Sequence, residues 1–226
     1  MHKLDIKKDI IQYPMPTTQY VECVTAKNQI VLHGTAGNAQ AKNVYDYWNS
    51  TKERVATCVV VAGNGEIWQG FSSKFWGAHI GLAHGLAKWN LPYFEYSQNS
   101  IGVEICNWGF LTKKGEKFYS WTGAEVPKDE VVVYEKGFRG QKYYHRYTDA
   151  QIIAVEKLLR YWSEIYGIPL DYREQDMWDL SLNAHKKVSG VYTHNSFRSD
   201  KSDIHPQPEM ITMLKSLTQK IKEETK

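Results

Sequence analysis

Short β-branched runs alternate with segments of helical period along this chain, and that interleaving restricts it to a mixed sheet covered by helices in one α/β domain. Gln29–His33 is an apolar run closed by Gly34-Thr35-Ala36-Gly37, so His33 stands at the C-terminal end of a strand, beside a loop. Residues 39–52 carry Val44, Tyr45 and Trp48 at helical spacing. Val55–Ala62 and Glu66–Gln69 flank Gly63-Asn64-Gly65, a hairpin signal. In Ser100–Cys106 the alternation puts Ile101, Val103 and Ile105 on one face and Glu104 on the other. Thr148-Asp149-Ala150-Gln151 has the form of a capping box. From there Ile152, Val155, Leu159, Trp162 and Ile165 recur on one helical face until Gly167-Ile168-Pro169. Gly190–His194 reads as a strand, and Met210, Met213, Leu214, Leu217 and Ile221 mark the apolar face of a last helix.

The connecting segments are less regular. Residues 1–22 are polar and punctuated by Pro14 and Pro16, the pattern of an extended lead-in. Residues 71–98 are rich in Gly, His and aromatic residues without a period, the pattern of a long loop with one short helical piece. Residues 111–147 read as an insertion on the domain's edge, with a strand at Val131–Tyr134 and turns at Lys136-Gly137 and Arg139-Gly140. The expectation is a single domain over residues 1–226 with its core from about 23 to 222, a central mixed sheet, and no internal repeat.

Composition excludes several classes. Hydrophobic residues at 42% and charged residues at 23% are globular values, which argues against disorder, collagen and coiled coil. A net charge of +3 demands no nucleic-acid partner. No stretch reaches the roughly 18 apolar residues of a membrane span, and the first residues lack a signal-peptide core, so synthesis in the cytoplasm and no membrane partner are expected. Cys23, Cys58 and Cys106 are far apart, which fits reduced thiols rather than a disulfide framework or a thiolate zinc site.

The chemistry-bearing residues are His33 and His194, each ending an expected strand, and the carboxylates near them. Two imidazoles and a carboxylate meeting at one sheet edge make a three-ligand zinc site with a fourth position open; the competing reading is of ordinary loop histidines. His79 and His84 flank a Gly-rich loop, where they either line a groove or order their own backbone. Asn107 either contacts substrate or caps the turn after the Glu104 strand. Trp68, Trp89 and Trp108 fit packing better than sugar platforms. Cys58 and Cys106 lie in apolar strands, where thiols are usually inert; as nucleophiles they would make the chain a Cys-His peptidase.

Seven segments in order decide among these readings: Ile30–Gly37, the Val59–Gln69 hairpin, Trp76-Gly77-Ala78-His79-Ile80-Gly81, Ser100-Ile101-Gly102-Val103-Glu104, Tyr147–Gln151, the helix end at Tyr166–Pro169, and His194 through Lys201-Ser202-Asp203. From about Gln29 to Pro208 the chain resembles the zinc-dependent N-acetylmuramoyl-L-alanine amidases of type 2, a family that includes phage endolysins and peptidoglycan recognition proteins. The resemblance implies His33, His194 and Asp203 as zinc ligands, Glu104 as general base and Lys201 as oxyanion stabiliser; on the functional reading of the residues, His79 with Trp76 lines the substrate groove and Asn107 donates to substrate. Asp200 and His205 stand as alternatives to Asp203, and Gly34 departs from the family pattern after the first ligand. The implied activity is hydrolysis of the amide between N-acetylmuramic acid and L-alanine by a monomer acting on peptidoglycan or muropeptides, as a phage or prophage endolysin. A cytoplasmic recycling amidase and a non-catalytic peptidoglycan-binding module are the alternatives.

Overall fold

The computed structural model describes residues 4–81 and 95–224, with the side chains of 6, 7 and 219–224 left outside that description. In chain order the first elements are α1 (Ile6–Asp9), β1 (Ile10–Gln12), β2 (Gln29–Gly34), α2 (Ala41–Ser50), β3 (Val59–Val61), β4 (Ile67–Gln69), α3 (Glu95–Gln98) and β5 (Ser100–Ile105). The insertion follows as β6 (Phe110–Lys114), β7 (Lys117–Tyr119), β8 (Glu125–Val126), β9 (Val131–Phe138) and β10 (Gln141–His145). The chain closes with α4 (Asp149–Tyr166), α5 (Glu174–Met177), α6 (Leu182–His185), β11 (Gly190–Thr193), α7 (His194–Phe197) and α8 (Pro208–Glu224).

Among the described residues the central sheet has six strands in the order β1-β4-β3-β5-β2-β11, parallel except for the β3–β4 hairpin. This is the mixed sheet expected from the interleaved pattern. Because successive side chains alternate across a strand, the sheet separates two apolar clusters. Ile30, Leu32, Val103 and Ile105 pack with Ile152, Val155, Leu159 and Trp162 of α4 and with Met210, Leu214 and Leu217 of α8. Val31 and Tyr192 point the other way, to Ile80, Tyr96 and Phe197. Helix α4 starts on the expected capping box, with Thr148 and Gln151 exchanging hydrogen bonds at 3.1 Å, and stops where Gly167 turns left-handed at φ 67°.

Four expectations are corrected. Ile10–Gln12 is no lead-in: it adds a parallel strand to β4, satisfying an edge that would otherwise be open. Lys136-Gly137 does not turn. It lies inside β9, where Gly137 takes φ 74° near a register shift between Gln141 and Tyr143, and the chain reverses at Arg139-Gly140. The insertion holds more than one strand: β6–β10 form a five-stranded antiparallel sheet with its own small core of Leu111, Phe118 and Val126. Ile165 is 51% exposed, because α4 has passed beyond the sheet by its last turn. Ile221 on α8 lies outside the described side chains, and no described helix is long and apolar enough to cross a membrane.

Candidate active site

The site forms where β5, β2 and β11 end, toward the β11 edge of the sheet. Parallel pairing sets Glu104 of β5 opposite His33 of β2, so the two side chains share a face. Thr193 pairs with Leu32, and the following residue, His194, opens α7 beside His33, with ring centroids 4.4 Å apart. The loop after α7 returns Asp203 to the same place, where Asp203 Oδ2 lies 3.0 Å from His194 Nδ1 and accepts a hydrogen bond from Gly34 N at 3.3 Å. Donor atoms of His33, His194 and Asp203 all fall within 4.8 Å of one another, a group that can hold a metal ion.

Gly34 now has a physical reason. A Cβ there would collide with the backbone carbonyl of Asp203, so the absence of a side chain lets the ligand loop close on the end of β2. The competing carboxylate and imidazole are occupied elsewhere. Asp200 is paired with Arg198 at 2.6 and 2.9 Å, and buried His205 has both ring nitrogens engaged, by Tyr134 Oη at 2.8 Å and the His145 carbonyl at 2.9 Å.

Unpaired polar atoms test whether the residues suit a cation. Asp203 Oδ1 and Glu104 Oε2 are closed to solvent and have no hydrogen-bond partner, a costly state that a bound cation and its water relieve. Two imidazoles and one carboxylate are also a donor set that zinc accepts while keeping a fourth position open. Burial drives the His33 pKa well below the usual value, helped by His194, His79 and Lys201, so its imidazole is a neutral ligand. Burial would raise Asp203, but the charge and hydrogen bond of His194, with Lys201, hold it below the usual carboxylate range. Burial and the charge of Asp203 push Glu104 well up, against the pull of Lys201.

Beside this group opens a cavity of about 470 Å³, lined by Trp76, His79, His194, Arg198 and Lys201 and reaching Glu53 and Arg54 at its far side. Trp76 and Lys201 thus line one cavity with His194. His79 also lines it, but its ring is wedged between His33 and Ser100. Of the two readings of Asn107, its contacts are those of the turn cap: its amide donates to the His145 carbonyl at 2.9 Å and its oxygen accepts from Gly109 N at 2.7 Å. Burial pushes the thiols of Cys58 and Cys106 up to about 12, which leaves no thiolate for a Cys-His peptidase. His84 and Trp89 lie outside the described residues. Sequence reading missed Ser100 as a site residue, although its two-residue spacing from Gly102 and Glu104 puts all three on one face.

No curated protein matches the chain. Among solved structures it resembles the Staphylococcus aureus hydrolase AmiA in complex with its ligand, at 13% identity and TM-score 0.54, over 99% of this chain and 87% of that one. It also resembles the catalytic domain of XlyA, at 16% identity and TM-score 0.51, over 92% of this chain and 98% of that one. A mutant endolysin from Bacillus subtilis gives the same identity and score, over 92% of this chain and 97% of the other. At these identities the likeness establishes the fold. The family model for N-acetylmuramoyl-L-alanine amidase matches residues 25–208, a span that holds every ligand and base candidate described above. The chain therefore belongs to the N-acetylmuramoyl-L-alanine amidase family and is an enzyme of that class.

Proposed function

We propose that the protein hydrolyses the amide between the lactyl group of N-acetylmuramic acid and L-alanine in peptidoglycan, with zinc held by His33, His194 and Asp203. The observation that carries this reading is the meeting of those three donors with Glu104 on one sheet face. Bound zinc lowers the pKa of its water to about 7 and polarises the scissile carbonyl. Glu104, with Oε2 unpartnered, takes a proton from the attacking water and returns it to the alanine nitrogen, which leaves as the amine. Lys201 lines the cavity beside His194 and offers its ammonium to the negative charge that grows on the carbonyl oxygen. Trp76 lies in the same wall and packs against the substrate.

The cellular role proposed is that of a phage or prophage endolysin, and a preference for intact cell wall over a small soluble muropeptide is its test. The metal assignment has its own test. Elemental analysis after dialysis against zinc is expected to find stoichiometric metal in the wild type and in Asp200→Ala, and to find it lost in His33→Ala, His194→Ala and Asp203→Ala. Retention in Asp203→Ala with loss in Asp200→Ala would overturn the third ligand.

A further inference from the structure

An imidazole presents a lone pair to a metal from only one of its two nitrogens, and the proton on the other must be held by an acceptor. Hydrogen bonds around the site determine which nitrogen that is. Ser100 Oγ donates to the Tyr96 carbonyl at 2.5 Å. With its proton engaged there, the same oxygen accepts from His79 Nε2 at 2.9 Å. Neutral His79, protonated on Nε2, leaves Nδ1 as an acceptor, and His33 Nε2 lies 2.9 Å from it. His33 therefore donates from Nε2 and keeps Nδ1 bare.

The next residue does the same for the second histidine. The Ile80 backbone carbonyl, which only accepts, lies 3.0 Å from His194 Nε2. That nitrogen donates to Ile80, so Nδ1 is the atom left to face Asp203 Oδ2, at 3.0 Å, and a metal bound by both would take the place of a proton shared between them.

We infer that His79-Ile80 is a positioning element that holds both His33 and His194 as Nε2–H tautomers and so presents both Nδ1 atoms to the metal. The inference rests on the metal reading proposed above and deepens it; His79 acts through His33 and is a positioning residue, not a catalytic one. The strand beneath is cut to suit. A Cβ on Gly102 would stand 3.0 Å from His79 Cγ and 2.7 Å from Thr57 Cγ2, so the Ser-x-Gly-x-Glu face supplies in turn an anchor for His79, room for its ring, and Glu104. The loop carrying the pair is fixed by bridges from Trp76 to Val21 and from Ala78 to Val55.

The test begins with ¹⁵N–¹H correlation spectra of histidine-labelled, zinc-free wild type at pH 8. A proton on Nε2 is expected at both His33 and His194, with Nδ1 of His33 bare, and an Nδ1–H form at His33 would overturn the inference whether or not zinc binds. Zinc affinity is then measured by competition with a chromophoric chelator. His79→Phe is expected to lose about 10–100-fold in affinity. His79→Asn, whose Oδ1 can accept from His33 Nε2, should recover most of that loss. A His79→Phe protein binding zinc within twofold of wild type would overturn the inference. A wild type with the expected tautomers that binds no zinc would overturn the metal reading alone.

Discussion

Glu104 sits in an otherwise apolar strand at the position that parallel pairing places beside His33, and its Oε2 has no partner among the described residues. Burying such a carboxyl without a partner is costly, and that cost is the physical ground for proposing Glu104 as the base. Glu104→Gln keeps the shape and removes the base. Its turnover is expected to fall by at least about 10²-fold, with zinc content unchanged by elemental analysis; a fully active variant would refute the assignment. This residue was legible because a two-residue alternation fixes a strand's faces without tertiary knowledge. His33 and His194 were legible as strand ends. What period and motif did not reveal is what each histidine's second nitrogen touches, since Tyr96, Ser100 and His79 meet only after folding. The two readings of Asn107 stayed open for the same reason: its partners, His145 and Arg146, come from the far end of the insertion.

The insertion acts as a brace for the segment that carries His194 and Asp203. Arg139, at the left-handed turn between β9 and β10, donates to the Ser199 carbonyl at 2.8 Å, the Asn195 carbonyl at 3.2 Å and Asp179 at 3.0 Å. Tyr134 of β9 reaches His205, two residues beyond Asp203. Arg139→Ala leaves those carbonyls without a donor and is expected to cost about 1–3 kcal/mol, a Tm drop of roughly 2–10 °C. Differential scanning calorimetry reads it directly, and an unchanged Tm would show the brace to be decorative. From sequence the insertion was visible as a charged, Tyr-rich interruption, and its β9–β10 reversal as Arg139-Gly140. Its five-stranded sheet was not, because short strands half exposed on both faces carry little periodicity; Val131, Val132 and Tyr134 of β9 are all only partly buried. β1 escaped notice because its three residues lack the turn signal that announced the equally short β3 and β4.

Across the whole molecule, one sheet separates the main core from the face that carries His33 and Glu104, and buried histidines collect on that face and, as His205, beneath the insertion. Burial takes His79 and His205 down to about 3, and His33 well below its usual value. In the unfolded chain each titrates near 6.5. A depressed folded pKa means the unfolded state takes up the proton first. The stability these groups contribute is therefore complete above about pH 6.5 and is lost as pH falls toward 3. Asp203, also depressed, adds to the loss at acid pH; Glu104, raised, works in the opposite sense as one group against four. The zinc-free protein is expected to show a Tm that declines steadily from pH 7 to pH 4, and a flat profile would contradict the burial of these rings as neutral species.

The α/β class, the central sheet and the two long helices were legible because they rest on local periods, and family membership was legible because motif order survives where overall similarity does not. The central claim is that this sheet face cleaves one amide with a metal's help. Mass spectrometry of products after incubation with purified peptidoglycan, untreated, chelated, and chelated with zinc restored, addresses it most directly. The account predicts free stem peptide beginning with L-alanine, absent on chelation and recovered with zinc. Intact peptidoglycan in all three samples, or cleavage at any other bond, would contradict it.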